Sequence, residues 1–186
     1  MGHHTFDVDR ADGLEDESRY RHLSAEEFRS LVRPAPGETL ADLGSGTGFY
    51  TDLIAPDVET LYAVDVQPEM HEYYRGKGLP ESVELVTADV ADLPFADGDL
   101  DGAVSTMTYH EFAGEPALAE LSRVIRPGGR FVAVDWSARG DGDAGPPVDE
   151  RDDLAVAAGD LADAGFRVVQ GAERDETFLL VAIREA

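Results

Sequence analysis

The chain has 186 residues, with 39 acidic residues against 15 basic ones, a formal net charge of −24 and no cysteine. This length accommodates one domain with a substantial core. The acidic excess excludes a broad nucleic-acid or anionic-membrane surface, which requires clustered cations. The lack of cysteine excludes disulfides, thiolate nucleophiles and zinc sites with cysteine ligands. Lys77 is the only lysine, and an acidic surface almost without lysine resembles the surfaces of proteins from salt-loving organisms.

The N-terminal region differs in composition from the rest of the chain. Residues 1–22 are mostly charged and predict a flexible acidic leader ahead of a single domain over residues 23–186. No apolar run approaches the roughly 20 residues needed to cross a bilayer, and the N-terminus has no signal-peptide core. We therefore expect a cytoplasmic protein without a membrane partner.

Helix and strand patterns alternate from Ser24 onward. A capping box, Ser24-Ala25-Glu26-Glu27, predicts a short helix that ends by Pro34. Seven apolar runs predict buried strands, at residues 38–43, 61–65, 83–87, 100–105, 130–135, 166–170 and 177–183. Further helices are predicted at residues 47–55, at 69–76, from Pro116 to a stop at residues 126–129, and at 150–164.

This order predicts an α/β protein. Strands that alternate with helices indicate a Rossmann-like, doubly wound and mostly parallel sheet of seven strands. Only residues 171–176 separate the last two strands. We therefore expect these two strands to form an antiparallel hairpin at the C-terminal edge of the sheet.

The most informative segment is residues 40–48, Leu-Ala-Asp-Leu-Gly-Ser-Gly-Thr-Gly. It predicts a buried strand that turns sharply into a helix. Glycine tolerates positive φ and lets a ligand approach the backbone closely. The following helix is expected to offer unpaired N–H groups to a polar or anionic ligand. A nucleotide-like cofactor at the end of the first strand is the interpretation that follows.

Three acids lie at or just beyond the ends of the first three strands: Asp42, Asp65 and Asp89. In an open α/β sheet, ligands bind outside the carboxyl ends of the strands. Asp65 follows Gly44 by 21 residues, the spacing at which an acid reaches a ribose diol. Asp89 could accept a hydrogen bond from the amine of a base. A structural alternative stays open for all three, as caps of turns or of the following helix.

The spacing of the glycines separates two cofactor families. A nicotinamide fingerprint requires a third glycine at position 49, which is Phe49. The pattern G-x-G-x-G preceded by Asp42 instead resembles motif I of class I S-adenosylmethionine-dependent methyltransferases. The resemblance covers roughly residues 38–136 and includes four more segments, Ala63–Asp65, Ala88–Phe95, Asp99–Ser105 and Leu121–Gly129. A looser similarity is to the quinone-biosynthesis methyltransferases within that class.

The resemblance implies S-adenosylmethionine as the cofactor and a set of residues around its methionine end. Gly44, Gly46 and the Ser45 backbone would pass under the methionine part. Asp42 would hold the amino group, directly or through water. The Ser105 backbone, at the end of the fourth strand, would face the same amine.

The nucleoside end of the cofactor receives three residues from the same resemblance. Asp65 would bind the ribose. Asp89 and Val90 would hold the adenine. These roles agree with the spacing of the acids after the strands.

The segment after the fourth strand, Thr106–Phe112, is expected to border the transferred methyl group. His110 is the candidate general base, because imidazole titrates near neutrality, and Tyr109 is a candidate to orient the substrate. A structural hydrogen bond at a helix start is the alternative for His110. Asp135-Trp136, after the fifth strand, would form a second wall.

Two segments are candidates to close over the site. Residues 139–147 have the composition of a flexible loop, and its end, Gly145-Pro146-Pro147, is a candidate lid. Tyr20 and Arg21 of the leader could cover the cofactor.

These observations predict methyl transfer from S-adenosylmethionine to a small-molecule acceptor, at oxygen or carbon. The Asn-Pro-Pro-Tyr motif of amino-methylating family members is absent, and the acidic surface disfavours nucleic acid. No metal is expected, since the chain has no cysteine or histidine cluster. Two alternatives stay open: a non-catalytic module that binds the cofactor and acts through a partner, and a nicotinamide-dependent reductase. The oligomeric state is open as well.

Overall fold

A computed structural model describes residues 6–186 of the chain. Residues 1–5, the first part of the predicted leader, lie outside the described residues. Where the sequence predicts the rest of a flexible leader, the chain forms two 3-10 helices, Val8–Glu15 and Glu17–Arg21. The side chains of Asp7 and Asp16 accept backbone N–H bonds at the two helix starts. We call residues 8–21 the cap segment, because they cover the site described below.

The strands form one seven-stranded sheet in the order β3-β2-β1-β4-β5-β7-β6. The first five strands are parallel and the last two antiparallel, as the sequence predicts. The strands are β1 (Thr39–Leu43), β2 (Thr60–Asp65), β3 (Val83–Thr87), β4 (Leu100–Thr106), β5 (Ile125–Trp136), β6 (Phe166–Glu173) and β7 (Thr177–Arg184).

Six α-helices accompany the sheet within residues 6–186. They are α1 (Ala25–Val32), α2 (Thr51–Ile54), α3 (Pro68–Lys77), α4 (Tyr109–Phe112), α5 (Glu115–Val124) and α6 (Leu154–Asp163). The capping box before α1 is confirmed, since the Ser24 hydroxyl accepts the Glu27 N–H at 3.2 Å. Two further 3-10 segments, Ala55–Asp57 and Val148–Glu150, follow α2 and the loop after β5.

The helices cover both faces of the sheet. On one face, Phe28 of α1 and Tyr74 of α3 are buried against the strands. On the other, Leu121 of α5 and Leu161 of α6 do the same. Residues of β7 alternate between the two cores, because successive side chains of a strand point to opposite faces. The doubly wound architecture is therefore confirmed.

Three predicted boundaries differ from the observed ones. The helix expected at residues 47–55 is reduced to the four residues of α2, after a longer glycine loop. The last helix begins at Leu154 rather than at residue 150, with Asp153 as its N-cap. Strand β5 begins at Ile125, and its pairing with β4 shifts between Leu100 and Gly102, so the predicted helix stop is an irregular stretch of strand.

The strand order determines where a ligand can bind. Strands β1 and β4 are neighbours, and the chain runs outward from them in opposite directions. This is the switch point of a doubly wound sheet, where a crevice opens at the carboxyl ends of the strands. Among residues 6–186, none of the helices has both the length and the apolar character needed to span a bilayer.

Candidate active site

A cavity of about 490 Å³ lies at the switch point, at the carboxyl ends of β1, β2, β4 and β5. Residues 44–47 of the glycine loop, which spans residues 44–48, form its floor, and Asp65 with Asp89 and Val90 form one wall. Met107, His110 and Trp136 form the opposite wall. The cap segment covers it through Arg10, Leu14 and Arg19.

Most backbone N–H groups of the glycine loop donate to other groups of the protein. Those of Gly44 and Ser45 both donate to the Val64 carbonyl at 2.9 Å, and that of Gly46 donates to Asp65 Oδ2 at 2.8 Å. Helix α2 begins only at Thr51. No residue of α2 lines the cavity, so the structure does not bring the start of the expected helix to the ligand. The loop instead ties β1 to β2.

Two glycines of the loop are required by protein packing. Gly44 has φ +74°, and a Cβ there would lie 2.2 Å from the Thr108 methyl group. Gly48 has φ +82°, and a Cβ there would lie 2.1 Å from the ring of Tyr74. Both positions need glycine for positive φ and for close approach. The close neighbours are the side chains of Thr108, just beyond β4, and of Tyr74, in α3.

Asp42 is fully buried and does not line the cavity. The Thr51 hydroxyl donates to its Oδ2 at 2.6 Å, and its Oδ1 has no partner among the described residues. Burial raises the pKa of Asp42 to about 6, and the bond from Thr51 opposes part of that rise. Asp42 thus supplies an unpaired buried oxygen behind the glycine loop.

Asp65 lies at the end of β2 and lines the cavity. Its two oxygens each accept one backbone N–H, from Gly46 at 2.8 Å and from Gln67 at 2.9 Å. Each carboxylate oxygen can accept a further bond, so Asp65 could hold two hydroxyl groups of a ligand. Asp89 and Val90 line the same wall, and Asp89 Oδ1 accepts the Ala91 N–H at 2.9 Å.

The structure does not place Ser105 in the cavity wall. Ser105 is fully buried and its hydroxyl has no partner within the described residues. Strand β4 continues to Thr106, and Met107 then has φ 60°, a left-handed conformation for a non-glycine residue. This turn brings Thr106, Met107 and Thr108 to the cavity instead.

The structure also leaves Tyr109 outside the cavity. Its side chain is fully buried, with ring centroids 5.7 Å from Phe112, 6.1 Å from Phe131 and 6.2 Å from Phe178. The ring belongs to the core beneath α4 and has no access to a bound substrate. The sequence could not show this, because the first turn of α4 decides which of two adjacent residues faces inward.

His110 lines the cavity beside Asp135, a buried residue of β5. The backbone N–H of His110 donates to Asp135 Oδ2 at 2.6 Å, and the ring Nδ1 lies 3.0 Å from both carboxylate oxygens. Burial lowers the pKa of His110, but the hydrogen bond and the charge of Asp135 outweigh this and raise it above 6.5. With Nδ1 held by Asp135, Nε2 is the nitrogen left for a ligand.

Glu111 is a second titratable group on this wall. Its carboxylate lies 4.0 Å from His110 Nε2, and burial raises its pKa to about 7 despite the opposing effect of His110. Glu111 therefore changes charge near neutral pH, beside an imidazole whose pKa is raised. Such a pair is typical of proton-transfer sites.

Trp136 lines the cavity on the same wall as His110. Gly145, of the loop after β5, packs on its indole so closely that a Cβ would lie 2.4 Å from the ring. Gly145 and Pro146 also line the cavity. The predicted lid residues thus border the site, although Pro147 does not.

The cap segment lines the cavity with other residues than the predicted Tyr20 and Arg21. Tyr20 packs on Phe49, with centroids 4.9 Å apart, and does not line the cavity. Arg21 reaches only a neighbouring recess. The residue that sequence reasoning missed is Arg19, whose guanidinium stacks 4.9 Å from the Phe49 ring and donates to the Leu14 carbonyl at 2.6 Å. Only the fold brings Arg19 over the glycine loop.

Comparison with known proteins identifies the fold and the family. Residues 41–133 match the family described as the methyltransferase domain. A crystal structure of an S-adenosylmethionine-dependent methyltransferase from Aquifex aeolicus is 30% identical, with a TM-score of 0.85 over 96% of this chain and 99% of that one.

Curated relatives match a shorter region. A demethylmenaquinone methyltransferase of Corynebacterium kroppenstedtii is 33% identical over 59% of this chain and 46% of its own. An O-methyltransferase of Penicillium expansum is 33% identical over 74% of this chain and 55% of its own. The chain spans about half the length of these curated relatives.

The cavity fits the cofactor that this family uses. It offers a carboxylate able to hold two hydroxyls, an apolar wall at Val90 and an unpaired buried carboxylate oxygen behind the glycine loop. The chain belongs to the class I S-adenosylmethionine-dependent methyltransferases, with S-adenosylmethionine as its cofactor.

Proposed function

We propose that the protein transfers the methyl group of S-adenosylmethionine to a small organic acceptor, at oxygen or carbon. When bound, the cofactor supplies a methyl group already activated by a sulfonium. One observation carries the proposal: the glycine loop and Asp65 share a single cavity of about 490 Å³ with the His110 wall. Cofactor and acceptor would therefore meet in one enclosed space, where alignment can supply much of the rate.

Several groups support a cofactor-binding role for the part of the cavity formed by the glycine loop and the wall of Asp65, Asp89 and Val90. Asp65 would accept hydrogen bonds from the ribose hydroxyls, while Asp89 and Val90 would border the adenine. Arg19, above the glycine loop, would face the carboxylate of the methionine part. Asp42 would stabilise the methionine ammonium from behind the loop, through its unpaired Oδ1.

His110 would act on the acceptor side. A general base is needed where the accepting atom carries a proton. Asp135 holds the imidazole by Nδ1 and would stabilise the positive charge that the ring acquires with the proton. We assign Asp135 a positioning role, because it is fully buried and does not line the cavity.

The nature of the acceptor rests on three observations. The cavity has the size of small-molecule sites, and a net charge of −24 disfavours nucleic acid. One relative is named an O-methyltransferase and another a demethylmenaquinone methyltransferase, names that point to oxygen or to a quinone compound as acceptor. These names concern the relatives and support the proposal only by similarity.

Binding is tested first. Thermal unfolding is measured with S-adenosylmethionine, S-adenosylhomocysteine and NAD. We expect both sulfur ligands to raise the Tm and NAD to leave it unchanged. Stabilisation by NAD alone would favour the nicotinamide-dependent reductase.

Turnover is tested next with a panel of phenols, catechols and 1,3-dicarbonyl compounds, by release of S-adenosylhomocysteine. We expect turnover with at least one acceptor and a loss of about 100-fold in His110→Gln. Cofactor binding without any turnover, together with an unchanged Tm of His110→Gln, would favour the non-catalytic binding module.

A further inference from the structure

A second recess of about 370 Å³ opens beside the candidate active site. It shares Arg10, Arg19, Met107 and Trp136 with the main cavity, so the two spaces adjoin. A molecule that lies along Trp136 and Met107 would extend from the His110 wall into this recess.

The recess is cationic in a strongly acidic protein. Arg10, Arg19, Arg21 and His22 line it, and no aspartate or glutamate of the described residues does. The chain as a whole has 39 acids against 15 bases. A recess lined by three arginines and no carboxylate therefore departs from the average composition of the chain.

The arginines of the recess have no ion-pair partner among residues 6–186. Most other arginines of the described residues are paired, as Arg130 is with Glu38 at 2.7 Å, whereas Arg33, Arg75 and Arg184 are not. The acids next to the recess make their close contacts with other groups: Glu15 contacts Lys77 at 3.2 Å, and Asp16 accepts the Ser18 N–H at 2.7 Å. Glu15 acts on Arg19, and Asp16 on Arg21, only through longer-range charge interactions.

His22 contributes a neutral hydrogen-bonding ring. Its centroid lies 4.9 Å from that of Trp136 in an edge-on arrangement. Burial lowers the pKa of His22, and the charge of Arg21 lowers it further, against a smaller opposing effect of Glu176. His22 therefore adds a polar contact, while Arg10 and Arg21 add the positive charge.

We infer that the acceptor carries an anionic group, a carboxylate or a phosphate, which Arg10 and Arg21 bind in this recess while the reacting atom lies beside His110. Guanidinium groups bind carboxylate and phosphate by paired hydrogen bonds. Arg19 is left out of the pair because the proposed function assigns it to the carboxylate of the cofactor. The inference rests on the proposed function and names the class of its substrate.

The test uses the full chain saturated with S-adenosylhomocysteine. Benzoate and phenyl phosphate are the anionic probes, and benzamide is a neutral probe of similar shape. Binding is measured by titration calorimetry at constant ionic strength. The double variant Arg10→Gln/Arg21→Gln is compared with Arg75→Gln, which removes an exposed arginine of α3 that has no ion pair in the described part of the chain and does not line either space.

We expect both anions to bind more tightly than benzamide. The double variant should lose about tenfold or more in anion affinity, with unchanged affinity for benzamide and S-adenosylhomocysteine. Arg75→Gln should match the unmodified protein. An equal loss in Arg75→Gln would show a general charge effect and overturn the inference.

Other results also contradict it. If benzoate and benzamide bind equally while S-adenosylhomocysteine binds well, the inference fails and the proposed function stands. If the double variant loses affinity for S-adenosylhomocysteine rather than for the anions, Arg10 and Arg21 serve the cofactor carboxylate. A protein that does not bind S-adenosylhomocysteine contradicts the proposed function itself.

Discussion

His110 and Asp135 are joined by both backbone and side chain, although 25 residues separate them in the sequence. The His110 N–H donates to the Asp135 carboxylate at 2.6 Å, and the ring Nδ1 lies 3.0 Å from each of its oxygens. The Trp136 N–H also donates to Asp135 at 2.7 Å. The buried carboxylate is thereby stabilised, and it fixes the start of α4 and the orientation of the imidazole together.

This pairing predicts an altered titration of His110. Its pKa should lie above 6.5, and Asp135→Asn should lower it, because the substitution keeps a hydrogen-bonding group but removes the negative charge. NMR titration of histidine-labelled protein measures this directly, with His110→Gln used to assign the signal. A pKa of His110 that is the same in the unmodified protein and in Asp135→Asn would contradict the pairing.

The same pair predicts how turnover depends on pH. Where His110 accepts the acceptor's proton, the rate should rise with pH through the raised pKa of His110. Asp135→Asn should shift this rise to lower pH and reduce the maximal rate about tenfold or more. If Asp135→Asn does not shift the pH at which the rate rises, another group accepts the proton, and Glu111 is the neighbouring candidate.

Asp42 predicts a pH-dependent stability. Its pKa is raised to about 6 in the folded protein, against an ordinary value of 3.8, so the folded state binds this proton more tightly than the unfolded state. Stability from this group is therefore present at low pH and lost as pH rises from about 4 to about 6, by on the order of 2–3 kcal/mol. Urea unfolding of the ligand-free protein at pH 5 and pH 8 checks this, and about half of the loss, on the order of 1–2 kcal/mol, falls between these two pH values.

Asp42→Asn is the comparison variant, because it keeps an acceptor for the Thr51 hydroxyl. Relative to the unmodified protein, the variant should gain stability as pH rises. The contribution of Glu111 cancels in this difference, since both proteins contain it. A stability difference independent of pH would contradict the raised pKa of Asp42.

Asp65 predicts a loss of cofactor affinity on substitution. In Asp65→Asn, the new side-chain amide would turn its N–H₂ group toward the N–H of either Gly46 or Gln67, and the charge that favours ribose hydroxyls would be lost. We expect affinity for S-adenosylhomocysteine to fall about tenfold or more in this variant. Asp92→Asn, which changes an exposed acid on the loop after β3, is the control. Equal affinities of the two variants would refute a ribose-binding role.

The glycine loop predicts a packing effect that is independent of any ligand. Gly48→Ala should lower the free energy of unfolding by about 3 kcal/mol, from the positive φ and the clash with Tyr74. Gly13→Ala, with nothing within 4 Å of the added carbon and no positive φ, should change it by less than about 1 kcal/mol. Urea unfolding of both variants measures the difference.

The composition predicts stabilisation by salt. A net charge of −24 repels itself at low ionic strength, and at molar salt the screening length falls to about 3 Å. The Tm should rise steadily between dilute buffer and molar KCl. A flat or falling Tm over that range would show that repulsion between the acidic side chains does not limit the stability of the folded protein.

The sequence alone was sufficient to predict the succession of strands and helices along the chain and the doubly wound sheet. Apolar periodicity, turns and caps act over short stretches of chain and can be recognised there. The run at residues 40–48 and the acids Asp65 and Asp89 were also predicted to lie at one edge of the sheet, and residues 44–47, Asp65 and Asp89 line the same cavity there. Parallel strands bring their carboxyl ends to one edge whatever their order, so these residues could be grouped without coordinates.

The tertiary structure decided which neighbouring side chains face the cavity. Ser105 and Tyr109 are turned into the core while Met107 and His110 line the site, because the end of β4 and the first turn of α4 set the side of each residue. The pairing of His110 with Asp135 depends on the register of β4 against β5, and the position of Arg19 on the packing of the cap segment. These contacts join distant parts of the chain, and no local pattern specifies them.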